Sequence, residues 1–149
     1  LKVKAEAISA RVFELTEFFV KVLEVNWKGS GATKKVALHT SCSARREMGV
    51  HLTGRQLLGD LNQVTVAQQD HESECCGFGG TFSVFEEPVS VRMGQDKVND
   101  QVASGAEAVV TTDMSCAMHQ QGVARRLGVT MPYLHIAQVL NGMTLEKPA

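Results

Sequence analysis

Lys35-Val36-Ala37-Leu38-His39-Thr40-Ser41-Cys42 decides the fold. A short, mostly apolar run ends in small polar residues and a cysteine, which predicts a buried β-strand. A helical stretch follows from about Ser43 to Met48 and breaks at Gly49. Thr53 is placed to cap a second helical piece reaching Leu61. The same order returns twice. Val64-Thr65-Val66-Ala67 predicts a strand, and a polar segment leads from it to Cys75-Cys76-Gly77-Phe78-Gly79-Gly80. Pro88 then suits the first turn of a helix running to about Ser104, with Gly105 as its stop. Ala108-Val109-Val110-Thr111-Thr112 predicts the third strand, and Cys116 opens a helix ending near Gly128. Residues 130–134 predict a fourth strand, and Ile136 to Leu140 a last helix.

Strands alternating with helices imply an α/β domain: a mostly parallel sheet of about four strands with helices on both faces, Rossmann-like in plan. Cys42, the Cys75-Cys76 pair and Cys116 then each follow the C-terminal end of a strand. Ligands of open α/β sheets bind outside those ends. Four cysteines far apart in the chain are thereby expected to meet at one place.

Before this unit, residues 3–25 read as one helix, with Val12, Leu15, Phe19, Val22 and Leu23 at helical spacing. Residues 28–33, Lys-Gly-Ser-Gly-Ala-Thr, read as a linker. The expected organisation is a leading helix and linker over 1–33 and a cysteine-bearing domain over 34–149. A net charge of −1 across 149 residues offers no basic field for nucleic acid. No apolar run approaches the roughly 18 residues of a membrane span, and no export signal opens the chain. A cytoplasmic setting with reduced cysteines is expected, although an even count of four is also compatible with two disulfides.

Clustered free cysteines point to metal or redox chemistry. Three of the four cysteine positions lie near predicted helix starts, where backbone N–H groups and the positive helix end favour thiolate. The adjacent Cys75-Cys76 pair bears on the metal. Structural zinc sites usually separate neighbouring cysteines by two or more residues, whereas adjacent side chains diverge and suit a centre whose ligand positions are farther apart. Three readings stay open: an iron–sulfur centre, a zinc-stabilised interaction module, and a metal-free thiol redox protein using Cys75 and Cys76.

Thr40-Ser41-Cys42, Glu74-Cys75-Cys76-Gly77-Phe78-Gly79-Gly80-Thr81-Phe82-Ser83 and Asp113-Met114-Ser115-Cys116-Ala117-Met118-His119 resemble the cysteine-rich CCG domain. That family includes lactate utilisation protein A, the iron–sulfur subunit of glycolate oxidase and one of the subunits of heterodisulfide reductase. The likeness spans about residues 11–140 and is nearest the lactate utilisation branch. It implies an electron-transfer subunit or domain that accepts electrons from oxidation of L-lactate, glycolate or a similar 2-hydroxy acid, working with other subunits of an oxidation complex. It also implies Cys42, Cys75, Cys76 and Cys116 as ligands of an iron–sulfur cluster. Where some relatives carry a further cysteine three places after the last, this chain has His119. One four-ligand cluster of the four-iron, four-sulfur type is the simpler expectation, with His119 as an optional metal ligand and zinc as the alternative metal. Family members usually carry two such domains in tandem, and this chain matches the second; self-association would cover apolar surface left by a missing half.

The remaining candidates read more plainly. His39 and His71 are expected as hydrogen-bonded histidines rather than ligands. The glycines after Cys76 lack the spacing of a phosphate or dinucleotide loop and suit a tight turn. Arg45-Arg46 and Arg125-Arg126 read as solvated helix faces, Met114 and Met118 as packing residues, and Asp113 as a helix cap. No complete catalytic set is present in the pattern.

Overall fold

The computed structural model describes residues 1–25, 34–62 and 64–142. Strands β1 (Lys34–His39), β2 (Val64–Val66), β3 (Ala108–Thr111) and β4 (Tyr133–His135) form one sheet in the order β2-β1-β3-β4. Every neighbouring pair is parallel. The central strands β1 and β3 are covered on both faces, which is why they read as near-continuous apolar runs. Their register, from Val36 opposite Ala108 to His39 opposite Thr111, brings both strands to an end at one level.

Helices α3 (Cys42–Met48), α4 (Val50–Gly59), α5 (Phe82–Phe85), α6 (Glu87–Ala103), α7 (Met114–Arg126) and α8 (Ile136–Leu140) complete the α/β plan. Strand alternation divides them between the faces. Val36, Leu38 and Val110 pack with Leu57 and Leu58 of α4 and with Ile136 and Val139 of α8. Ala37 and Val109 pack on the other side with Val98 of α6 and Ala117, Val123 and Ala124 of α7. No helix among the described residues is long and apolar enough to cross a membrane.

The leading helix is not continuous. Helix α1 (Lys2–Ser9) buries no residue, and the helix restarts only at α2 (Leu15–Glu17), which runs into a single π-helical turn over Phe18–Val22. Glu14 causes the restart. Its backbone is extended (φ −74°, ψ 155°) and its carboxylate accepts from the N–H groups of Thr16 and Glu17, a capping arrangement that hydrophobic spacing does not register. Phe19 and Val20 then pack against the α4–α8 core. The linker expected at 28–33 lies outside the described residues.

Thr53 does not cap α4. Gly49, at φ 66°, precedes the first turn, and Thr53 lies inside the helix, where its buried hydroxyl meets that of Thr16 at 2.7 Å. Strand β4 begins three residues later than expected because Pro132 has no N–H for the ladder, although its carbonyl accepts from Val109.

Candidate metal centre

Cys42 is the first residue of α3, directly beyond β1, and Cys116 lies in the first turn of α7, beyond β3. Asp113 caps α7 as expected, accepting from the N–H of Ser115 at 2.8 Å and of Cys116 at 3.2 Å. Cys75 and Cys76 sit in the loop after β2. All four cysteines are free. Cys76 and Cys116 are buried, and Cys42 and Cys75 are partly exposed.

The adjacent pair divides between two partners. Cys75 bears on Cys42, whereas Cys76 shares a hydrogen bond with Cys116. Cys76 and Cys116 therefore each bear on the other's proton. Hydrogen bonding from Cys116 is the main cause that pushes Cys76 down, helped by His39 and the Phe78 N–H against the opposing effect of burial. The same shared proton, followed by burial, pushes Cys116 up. Burial also raises Cys75, which the Gly77 N–H, 3.4 Å from its sulfur, partly offsets. At Cys116 the helical N–H is already occupied by Asp113, whose own charge further disfavours a second anion.

His39 closes this group. It ends β1 on the same sheet face as Ala37 and is 1% exposed. Its ring nitrogen and the sulfurs of Cys76 and Cys116 all lie within 4.8 Å of one another. A tetrahedral ion with bonds of roughly 2.0–2.3 Å holds its ligand atoms about 3.3–3.8 Å apart, so these three atoms would have to draw together to share one ion. Soft sulfurs with an imidazole suit zinc or iron, and the donor set therefore fits a thiolate-bound metal. By sequence His39 is expected as a hydrogen-bonded histidine rather than a ligand, although strand alternation sets it on the α6–α7 face, three residues before Cys42.

His119 lies outside this compact group. Its ring packs against Phe78, with centroids 6.1 Å apart, and its buried Nε2 has no hydrogen-bond partner. Gly94 of α6 makes room for it, since a Cβ there would come within 3.1 Å of that nitrogen.

Several interactions hold the cysteine loop. Gly77 adopts φ 89°, and a Cβ would lie 2.5 Å from the Ser90 carbonyl oxygen; the Ser90 hydroxyl donates to the Gly77 carbonyl at 2.8 Å. Upstream, the ammonium of Lys97, 1% exposed, donates to the carbonyls of His71 and Glu72 at 2.7 and 3.0 Å. Asp100 accepts from the N–H groups of Asp70 and His71. The Glu72 carboxylate bridges Arg45 of α3, at 2.9 Å, and Arg55 of α4. Arg45 is therefore a tether between the Cys42 helix and the Cys75 loop, whereas Arg46, Arg125 and Arg126 are exposed. Behind Cys116 runs a buried relay. The Tyr133 hydroxyl donates to Gln101, the Gln101 amide to Gln120 at 2.6 Å, and the Gln120 amide to the Cys116 carbonyl at 3.0 Å. Burial pushes Tyr133 up and keeps its hydroxyl a donor. His71 pairs with Glu74 at the surface, and Met114 and Met118 are exposed rather than packed.

Residues 36–121 match the cysteine-rich domain family CCG. The chain is 41% identical over 138 residues to lactate utilization protein A of Exiguobacterium sp., covering 93% of this chain and 56% of that protein. It is 39% identical over 140 residues to lactate utilization protein A 1 of Bacillus mycoides, covering 94% and 57%. It is 36% identical over 138 residues to lactate utilization protein A of Lysinibacillus sphaericus, covering 93% and 60%. The chain thus spans less than two thirds of the length of these relatives. Because the family match takes in more than half of its residues and all four cysteines, the chain belongs to the cysteine-rich CCG domain family.

Proposed function

We propose that this chain is the metal-holding, electron-relaying part of a system that oxidises lactate or a close 2-hydroxy acid such as glycolate, with Cys42, Cys75, Cys76 and Cys116 as the thiolate ligands of an iron–sulfur cluster. The observation that carries this is that four unbridged cysteines follow three strand ends at one edge of the sheet, with the sulfurs of Cys76 and Cys116 within 4.8 Å of each other. The names of the lactate utilization relatives supply the substrate class. When bound, such a cluster accepts and releases single electrons. The protein's own part is to hold the thiols near one another, to supply the Gly77 and Phe78 N–H groups toward sulfur, and to bury Cys76 and Cys116 away from water. Conversion of a 2-hydroxy acid to its 2-oxo acid releases two electrons and two protons, and a partner subunit carries out that step.

Anaerobic reconstitution tests the reading. Iron and acid-labile sulfide in similar amounts, with a broad charge-transfer absorption, support it; cysteine-to-serine changes at each of the four positions should each disturb the centre. A preparation that takes up neither iron nor sulfide refutes it. The closeness of His39, Cys76 and Cys116 favours a second reading, a single zinc ion in a structural module. Equimolar, tightly held zinc and a melting temperature that collapses under chelator would select that reading.

A further inference from the structure

We propose that His39 is itself a metal ligand, its imidazole joining Cys76 and Cys116 in a mixed nitrogen–sulfur set that the four cysteines alone do not describe. The inference rests on the thiol group being a metal centre, but on neither iron nor electron transfer. His39 is held by β1 with its side chain on the α6–α7 face, opposite Thr111 in the ladder. Both ring nitrogens are buried without a nitrogen or oxygen partner, and the polar group the ring meets is the Cys76 sulfur. Native proteins rarely leave a buried imidazole so, because a histidine usually has at least one ring nitrogen engaged. Here the ring faces two sulfurs instead, the three atoms within 4.8 Å of one another, and a bound ion would draw them to about 3.3–3.8 Å. His119 has an unpartnered buried nitrogen as well, but it is turned to Phe78 and Gly94 and belongs to no such group.

Cobalt(II) alone, added without oxygen to the reduced, metal-free chain, tests the assignment. The wild-type chain should show thiolate-to-cobalt charge transfer and one strongly shifted, exchangeable imidazole N–H proton resonance. His39→Ala should remove that resonance and weaken cobalt binding by at least about tenfold. His39→Cys should restore the affinity with stronger charge transfer, an outcome that a purely packing role would not give. His119→Ala should keep both signals. Circular dichroism of each variant verifies the fold, and His39→Cys keeps the test decisive should His39→Ala unfold. The proposal is overturned if the wild-type chain binds no cobalt, if the resonance persists in His39→Ala, or if His119→Ala removes it. Failure of the electron-transfer reading shows separately, as absent iron and sulfide after reconstitution, and leaves the cobalt result intact.

Discussion

Gly77→Ala should damage this protein more than its single added methyl group suggests. Two costs combine. The residue sits at φ 89°, where a side chain costs about 1–2 kcal/mol through contact with its own backbone. The new Cβ would also lie 2.5 Å from the Ser90 carbonyl oxygen and 2.9 Å from the Met93 Cβ, both on α6, so backbone must move; overpacking of this kind costs about 1–3 kcal/mol. Together they predict a loss of about 2–5 kcal/mol. Gly80→Ala supplies the control. Gly80 has φ 58°, but nothing lies within 4 Å of a Cβ there, so only the first cost applies. Urea unfolding of the metal-free, reduced chain measures both. Gly77→Ala should lose at least about 1 kcal/mol more than Gly80→Ala, a difference set by overpacking. It should also weaken metal uptake, because the Gly77 N–H faces the Cys75 sulfur. Equal losses in the two variants would refute the argument that α6 sets the shape of the cysteine turn.

Gln101→Ala should destabilise the chain by about 2–4 kcal/mol, read from the urea midpoint, because it leaves the buried Tyr133 hydroxyl and Gln120 carbonyl without partners. Glu72→Ala should cost about 1–2 kcal/mol, less than a fully buried pair because Arg45 and Arg55 keep partial access to water; protease cleavage within residues 70–74 should quicken. Lys97→Met should cost about 2–4 kcal/mol at neutral pH, since the carbonyls of His71 and Glu72 lose their donor. Lys97 also predicts a pH dependence. Burial holds its folded pKa below 10.5, so between the folded pKa and 10.5 the unfolded chain binds more protons and stability rises with pH. That contribution is fully present above 10.5 and is lost as pH falls through the folded value. The stability advantage of wild type over Lys97→Met, measured by urea unfolding at a series of pH values, should therefore grow toward alkaline pH.

The parallel sheet was legible because β1 and β3 are short apolar runs, each followed by polar residues, a cysteine and a helix, the alternation that a parallel sheet covered on both faces accommodates. That Cys42, the Cys75-Cys76 pair and Cys116 each follow a strand at the same edge of the sheet followed from topology alone. What periodicity could not show is chemistry that depends on single side chains. Glu14 interrupts the leading helix through two hydrogen bonds to backbone, with no change in the apolar stripe. Thr53 has the composition of a cap, yet it is drawn into the core by Thr16, 37 residues away. His39 was set aside as an ordinary buried histidine because a sequence does not reveal whether a buried ring nitrogen finds a partner. Lys97 lies within an otherwise polar helical stretch, and only the fold shows that its charge points inward to the carbonyls before Cys75.

The adjacent cysteines explain why so many interactions are spent on one loop. Two neighbouring residues outside a helix direct their side chains apart, so a single short segment can offer one thiol to Cys42 and the other to Cys116. Separate loops would have to be positioned independently to do the same. The cost is sensitivity: a shift of this one segment disturbs both thiol pairs at once. Lys97 and Asp100 fix its start from α6, Glu72 ties it to α3 and α4, and Ser90 with Gly77 fixes the turn beyond. Cys116 is fixed separately, by Asp113 at its N–H and Gln120 at its carbonyl. Mutations in the loop's supports should therefore perturb Cys42 and Cys116 together, whereas mutations in the Gln101–Gln120 relay should act on the Cys76–Cys116 pair and spare Cys42. Thiol reactivity mapped cysteine by cysteine in the two classes of variant would separate these patterns, and identical patterns would show that the site responds only as a whole.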